Sequence, residues 1–398
     1  MASNTWFASR TSGASPASVL PQGTRAAAPG TITCLVTVHG VGFNQAGVKG
    51  VRPGYADQFH EHLRQQLASI PWTDSPLYVV GKKRSDLQLG PSSGALTAAP
   101  APITHVALVY APLNVQDFDL WSFLRGTGRI VSHIFTYLTW SGLLRFGYED
   151  LRAIIQHHAP DPKNPRPSLR VSRDWMKQGI TGLVPLRPVD QQRDPASGVL
   201  VLIKQLADDF LAYVYRKGVR DGIVDFVQEA LVQLASRVEV GAIVVNSHSQ
   251  GSAAVFDALS DLDQDQPKEK TATVTDKVVW LVTEGSPLRK YVEFFGWSNT
   301  LRNFAGEWTN FYDPHDPAAD PFEPSRRWRL GMPVERRPGE PELFQRANMT
   351  SLEILDIPVD NVDRSSDGGL RAHNYWDNEE DFVIPVARAL KIVAGVPQ

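Results

Sequence analysis

Ser249 stands in VVNSHSQGSAAVFDAL, residues 244 to 259, where a run with the pattern of a buried strand gives way to an apolar run at helical spacing. A serine hydroxyl is a weak nucleophile until a neighbouring base takes its proton, and it must be lifted clear of its surroundings on a tight turn. Such a strand-to-helix turn closes without a clash when small residues lie two before and two after the serine. Here those positions hold Ser247 and Gly251, and Ser252, Ala253 and Ala254 follow to let the helix pack closely. The competing structural reading is a polar turn in which Ser247 or Ser249 caps the helix; it accounts for one serine and not for the whole arrangement. Ser286, in EGSPL, also follows a strand pattern, but Pro287 after it has no backbone N–H to offer an oxyanion, whereas Gln250 after Ser249 has one.

In one common arrangement the acid and then the histidine follow the serine along the chain. Of ten histidines only His315 and His373 come after Ser249, and only His373, in LRAHNYWDNEEDF, leaves room for an acid on the loop before it. A base at that position has to reach the hydroxyl and take its proton. The acid that holds the base in the right tautomer has to be a buried, hydrogen-bonded carboxylate. DPHDPAADPF, after the strand pattern WTNFY, offers Asp313, Asp316 and Asp320. Asp316 is the first choice and Asp313 the second, because an aspartate directly before proline tends to cap the turn instead. His248, beside Ser249, is expected to project away from the face on which a base would sit. The third loop, HGVGFN from residue 39, follows another buried-strand pattern. Its glycines allow two backbone N–H groups to turn towards one point, so Gly40 or Val41 together with Gln250 is expected to bind an oxyanion. The alternative is a plain glycine turn that ends the strand, with His39 orienting the loop.

VTVHGVGF, VVNSHSQGSAAVFDAL, WTNFYDPHDP and AHNYW together resemble the α/β-hydrolase family, in particular bacterial lipase-like serine hydrolases with an HG-type oxyanion loop. The resemblance spans residues 31 to 396 and leaves 112 to 198 uncovered. It implies Ser249 as nucleophile, His373 as base, Asp316 as acid, and backbone N–H donors at Gln250 and at Gly40 or Val41. The chain departs from the family pattern at Ser247, where the turn usually carries glycine. The implied activity is cleavage of a carboxylic ester of a lipid or other apolar acyl compound through an acyl-enzyme, with no metal or cofactor. Thioester or amide hydrolysis and acyl transfer use the same groups, and a non-catalytic lipid- or protein-binding module on the same fold is the alternative from another class.

These loops need strands that end together. TCLVTV (33 to 38), PLYVV (76 to 80), HVALVY (105 to 110), AIVVN (242 to 246), KVVWLVT (277 to 283) and WTNFY (308 to 312) read as buried strands. Helical spacing marks 55 to 69, two stretches between 200 and 237, 252 to 262, and 381 to 396 despite Pro385. Continuous apolar strands alternating with helices predict an α/β fold, with a mostly parallel sheet covered on both faces and its site at the carboxyl ends of the strands. Residues 31 to 398 are expected to form one domain, with an aromatic-rich helical insertion over 112 to 198 that serves as a cap or as core. Within it, residues 120 to 147 fall short of the ~20 apolar residues that span a bilayer, and transient contact with a membrane surface is a further reading.

Residues 1 to 30, rich in Ala, Ser, Gly and Pro, predict a flexible arm. They lack the apolar core of a secretory signal, which points to the cytoplasm, with export by a route independent of such a signal as the alternative. The single Cys34 leaves no intramolecular disulfide and no multi-cysteine metal site. Net charge is −3, from 40 basic and 43 acidic residues, so no overall field favours nucleic acid.

Overall fold

A computed structural model describes residues 24 to 40, 53 to 81 except 69, 102 to 110, 217 to 313 except 296, 354 to 364 and 373 to 396, with shorter pieces between them. Val41 and, apart from Leu113, the insertion with its 120 to 147 segment lie outside the described residues.

Seven strands form one sheet: β1 Ile32–Val38, β2 Leu77–Val80, β3 Ile103–Val109, β4 Val240–His248, β5 Val278–Glu284, β6 Glu307–Tyr312 and β7 Ile354–Pro358. Their order is β7-β6-β5-β4-β1-β3-β2, and every neighbouring pair is parallel. β1, β3 and β5 are buried at every residue, which is why they read as continuous apolar runs and not as alternating ones. Among the described residues the helices of eight residues or more are α1 Asp57–Gln66, α2 Lys217–Ala235, α3 Gln250–Ser260, α4 Lys268–Lys277, α5 Leu288–Phe295 and α6 Ile384–Val393.

Alternation along the strands sorts their side chains into two apolar layers. Val36, Val38 and Val245 pack with Phe226 and Val227 of α2 and Phe256 of α3. On the other face Leu35, Val244 and Phe311 pack with Phe59 of α1 and with Phe382 and Val386 at α6. Each such side chain, fully buried, contributes ~1.5–3 kcal/mol. All eleven residues of α3 are buried, as its small residues permit. The second layer also holds a polar chain: His60 Nδ1 lies 3.0 Å from His105 Nδ1, and His105 Nε2 lies 3.0 Å from Thr37 Oγ1.

From β1 the chain winds to one side, through β2 and β3; from β4 it winds to the other, through β5, β6 and β7. The winding reverses between β1 and β4, and in open parallel sheets a crevice forms at such a point, outside the carboxyl ends of the two strands.

Several elements differ from the sequence expectations. β4 runs on through Ser247 and His248, so α3 starts directly after Ser249. Three of the elements named above were not expected at all. α4 (KEKTATVTDK) reads as polar because only Thr271 and Val274 are buried. α5 is short, and β7 contains Asp356 and Pro358, which an edge strand tolerates. The closing helix α6 is shorter than expected and is preceded by a π turn, Glu379–Val383, so Pro385 falls in its first turn, where no intrahelical N–H is missed. The end of the N-terminal arm lies along α6, with Ala27 N donating to Val393 O at 2.7 Å.

Candidate active site

Between β4 and α3, Ser249 takes φ 52° and ψ −127°. Among the described residues it is the one non-glycine residue with positive φ. Such a backbone costs on the order of 1–3 kcal/mol and persists when its surroundings impose it. Ser249 N donates to Glu284 O at 2.8 Å, and Ser252 N donates to Ser249 O at 3.0 Å. Gly251 is required by proximity: a Cβ there would lie 2.5 Å from His39 O and 2.7 Å from Val38 O. Ser247, in the usual glycine position, is fully buried, and its hydroxyl donates to Val282 O at 3.1 Å. The extra hydroxyl is therefore satisfied within the sheet. Ser249 occupies the cap position of α3, yet its side chain makes no capping hydrogen bond, so helix capping does not account for it. Ser286 is buried, 2.6 Å from Ser252 Oγ, and accepts from Leu288 N at the start of α5.

The loop after β1 comes against this turn. A Cβ on Gly40 would lie 2.5 Å from Ser249 Cβ and 2.9 Å from His248 Nδ1. His39 Nε2 accepts from Tyr110 N at 3.1 Å, so its proton is on Nδ1, which donates to Gly40 O at 2.6 Å. Its ring stacks on Tyr110 with centroids 4.0 Å apart. Burial pushes its pKa down to about 4, against a smaller opposing effect of the Gly40 carbonyl, so at neutral pH it is an uncharged brace for the loop. Gln250, the first residue of α3, has no acceptor for its backbone N–H within the helix.

Beyond β6, Asp316 is buried and paired with His373. Its Oδ2 accepts from His373 Nδ1 at 2.8 Å and from the Tyr375 hydroxyl at 2.9 Å, and its Oδ1 accepts from Ala318 N at 2.9 Å. Burial by itself would raise its pKa, but His373 and these hydrogen bonds together outweigh burial and hold the carboxyl below its ordinary value. Asp313 faces elsewhere, with Oδ2 accepting from Asn361 N at 2.7 Å. Of the two aspartates put forward from sequence, Asp316 is the one that meets His373. Asp320 and His315 lie outside the described residues.

With Nδ1 committed to Asp316, His373 keeps Nε2 for another partner. Ser249 Oγ is not hydrogen-bonded to it; the two side chains are linked through His248, which lies against Gly40 on one side and the His373 ring on the other. Gly285, at φ +60°, makes room for the ring: a Cβ there would lie 2.7 Å from His373 Cε1 and 2.9 Å from Nδ1. His248 does not project away as expected. Its ring centroid is 4.5 Å from that of His373, and its Nε2 donates to His373 O at 3.0 Å. Burial first, and His373 second, push its pKa down to about 3. The strand alternation carried this signal, because a β4 that extends through His248 puts it on the face of Asn246, opposite Ser247.

Sequence reasoning passed over Glu284 and Trp376. Glu284 ends β5 fully buried, and its Oε1 accepts from Asn246 Nδ2 at 2.9 Å and from Trp376 Nε1 at 2.5 Å.

Ser249, Gly40, Gln250, Asp316 and His373 thus come from four separate loops to the carboxyl edge of one sheet. No protein-family model, no curated protein and no solved structure matches this chain. The reading of the site therefore rests on its own chemistry.

Proposed function

We propose that this chain is a serine hydrolase of carboxylic esters built on an α/β-hydrolase fold. The observation that carries the reading is the strained backbone of Ser249, the only non-glycine residue at positive φ among the described residues, with Gly40 pressed against its Cβ. A strained, uncapped serine has no structural use that offsets its cost, whereas an attacking hydroxyl has one. The buried Asp316–His373 pair at the same edge supports it, as does the position of Ser249 at the reversal between β1 and β4.

In this reading His373 Nε2 takes the Ser249 proton as Oγ attacks the ester carbonyl, and Asp316 steadies the imidazolium. The tetrahedral oxygen takes up the negative charge and is met by the backbone N–H groups of Gln250 and of Gly40 or Val41. His373 then passes its proton to the departing alcohol, and water releases the acyl group by the same steps in reverse order. Amide or thioester cleavage and acyl transfer use the same groups and differ in the leaving or accepting partner.

Replacing Ser249 by alanine is the decisive experiment. Turnover of short p-nitrophenyl esters is expected to fall by on the order of 10⁵–10⁶-fold, and a fluorophosphonate probe is expected to label the wild-type chain at Ser249. An S249A protein with wild-type turnover overturns the proposal, and a folded wild-type chain that takes no label favours a binding module. An apolar acyl or lipid substrate is proposed on the aromatic composition of residues 120 to 147; acetate turned over as fast as long-chain esters and phospholipids removes that part.

A further inference from the structure

Glu284 lies where the two halves of the site meet. Its backbone carbonyl accepts the Ser249 N–H at 2.8 Å. Its side-chain Oε1 accepts from Asn246, three residues before Ser249, at 2.9 Å, and from Trp376, three residues after His373, at 2.5 Å. Trp376 in turn packs on His248 with ring centroids 5.6 Å apart, and His248 holds the His373 carbonyl at 3.0 Å.

At the Glu284–Asn246 bond, the second oxygen of each partner, Glu284 Oε2 and Asn246 Oδ1, is buried with no hydrogen-bond partner. Both are acceptors, and they belong to the two partners of one hydrogen bond. Buried polar atoms are rarely left unmet, because desolvation is then uncompensated. A single proton on Glu284 Oε2 resolves both. The protonated carboxyl donates one bond and accepts the other, and a carboxyl and a carboxamide pair in this way when they lie in one plane and share the N–H on the side of the amide oxygen. The surroundings favour that proton. Burial is the main influence on the carboxyl and pushes it up to about 8, only partly offset by the Trp376 and Asn246 bonds, and no cation contributes.

We propose that Glu284 is a positioning residue: as an uncharged acid closed onto Asn246, it ties the strand end that carries Ser249 to the loop that carries His373. The inference rests on the reading of Ser249 and His373 as the reacting pair. The titratable groups around Glu284 are His248 on β4, Asp316 beyond β6, His373 and Tyr375 on the C-terminal loop, and Tyr55 ahead of α1, whose ring lies 5.6 Å from that of Trp376. No cation acts on the Glu284 carboxyl to offset its ionisation. Its raised pKa gives stability that is present below the ordinary carboxylate range and is lost as pH rises through about 8. The tie itself weakens where the folded-state carboxyl ionises, near and above about pH 8.

The test is the rate of fluorophosphonate labelling of Ser249 across neutral and alkaline pH in wild type, E284Q and E284L. Glutamine reproduces the uncharged acid, with an oxygen that accepts and an N–H that donates. E284Q is expected within about threefold of wild type near neutrality, and to keep its rate where wild type falls, by up to about tenfold, as pH rises through about 8. E284L, which loses both bonds, is expected to label at least about tenfold more slowly, with an unchanged apparent affinity for the probe. Identical pH profiles for wild type and E284Q overturn the inference, as does E284L labelling at the wild-type rate. If wild type takes no label at any pH, the proposed function fails instead. Infrared difference spectra between wild type and E284Q near neutrality decide independently of activity, and independently of whether E284L folds. A protonated-carboxyl band present in wild type and missing in E284Q supports the inference; its absence from wild type overturns it.

Discussion

Replacing Gly40 by alanine puts a methyl carbon 2.5 Å from Ser249 Cβ and 2.9 Å from His248 Nδ1. Carbon atoms in contact settle at about 3.5–4.0 Å, so the loop and the serine turn have to separate by about 1 Å or more. The serine turn cannot give way cheaply. Ser249 N is held by Glu284 O at 2.8 Å, and Gly251 already abuts the backbone of His39. The loop after β1 therefore moves, and with it the Gly40 N–H that the proposed oxyanion needs. A misplacement of about 1 Å costs on the order of 10²-fold in rate, and the overpacking costs about 1–3 kcal/mol of stability. Gly222→Ala on α2 is the matched control, since a Cβ there meets nothing within 4 Å. It is expected to leave activity unchanged and to gain up to about 1 kcal/mol from helix propensity. The assays are kcat/KM on p-nitrophenyl butyrate and the urea unfolding midpoint, run on both variants. A G40A protein with wild-type kcat/KM refutes the placement of this loop against the reacting serine.

Asp316→Asn removes the partner that fixes the His373 tautomer and is expected to lower kcat by about 10³–10⁴-fold. Asp313→Asn, which weakens the bond from Asn361 N and leaves the Asp316–His373 pair in place, is expected to cost less than about tenfold in activity; equal losses in the two variants contradict the assignment. A third expectation concerns acid. Burial lowers the pKa of His105 well below that of a free histidine, takes His39 to about 4, takes His248 to about 3 with His373 as a second cause, and lowers His60 too. Histidines held neutral in the fold take up protons on unfolding, so stability is full above the ordinary histidine pKa of about 6.5 and falls as pH drops below it, by about 1.4 kcal/mol per pH unit for each fully buried ring. The Nδ1 atoms of His60 and His105 face each other at 3.0 Å; one proton between them satisfies the contact, and a second sets two N–H groups against each other. His105→Gln is expected to reduce the slope of unfolding free energy against pH between about 6 and 5 by one such increment; an unchanged slope counts against it.

The strands were legible where burial on both faces wrote continuous apolar runs, as in TCLVTV and KVVWLVT. They were illegible where it did not. β7 is an edge strand, only partly buried through Asp356 and exposed at Pro358, and α4 buries too little of its surface to show a face. The serine turn was legible because Ser249, Gly251 and the small residues after them are neighbours in the chain, and the constraint that shapes the turn is local.

Residue types and local spacing alone pointed to a parallel α/β sheet and three loops at strand ends, and they favour Ser249 over Ser286 as the proposed nucleophile, since the missing N–H of Pro287 is a covalent fact. Only the tertiary structure decided which partners meet. Asp313 and Asp316 are three residues apart on one loop, and what separates their roles is contact with Asn361 and His373, 48 and 57 positions downstream. Likewise, nothing near Glu284 in the chain announces Trp376, 92 residues on, as the group that meets its buried carboxyl. Hydrogen bonds and exclusion of water act through space, so the protonation and pairing of buried groups are properties of the packed site and have no signature in the order of the residues.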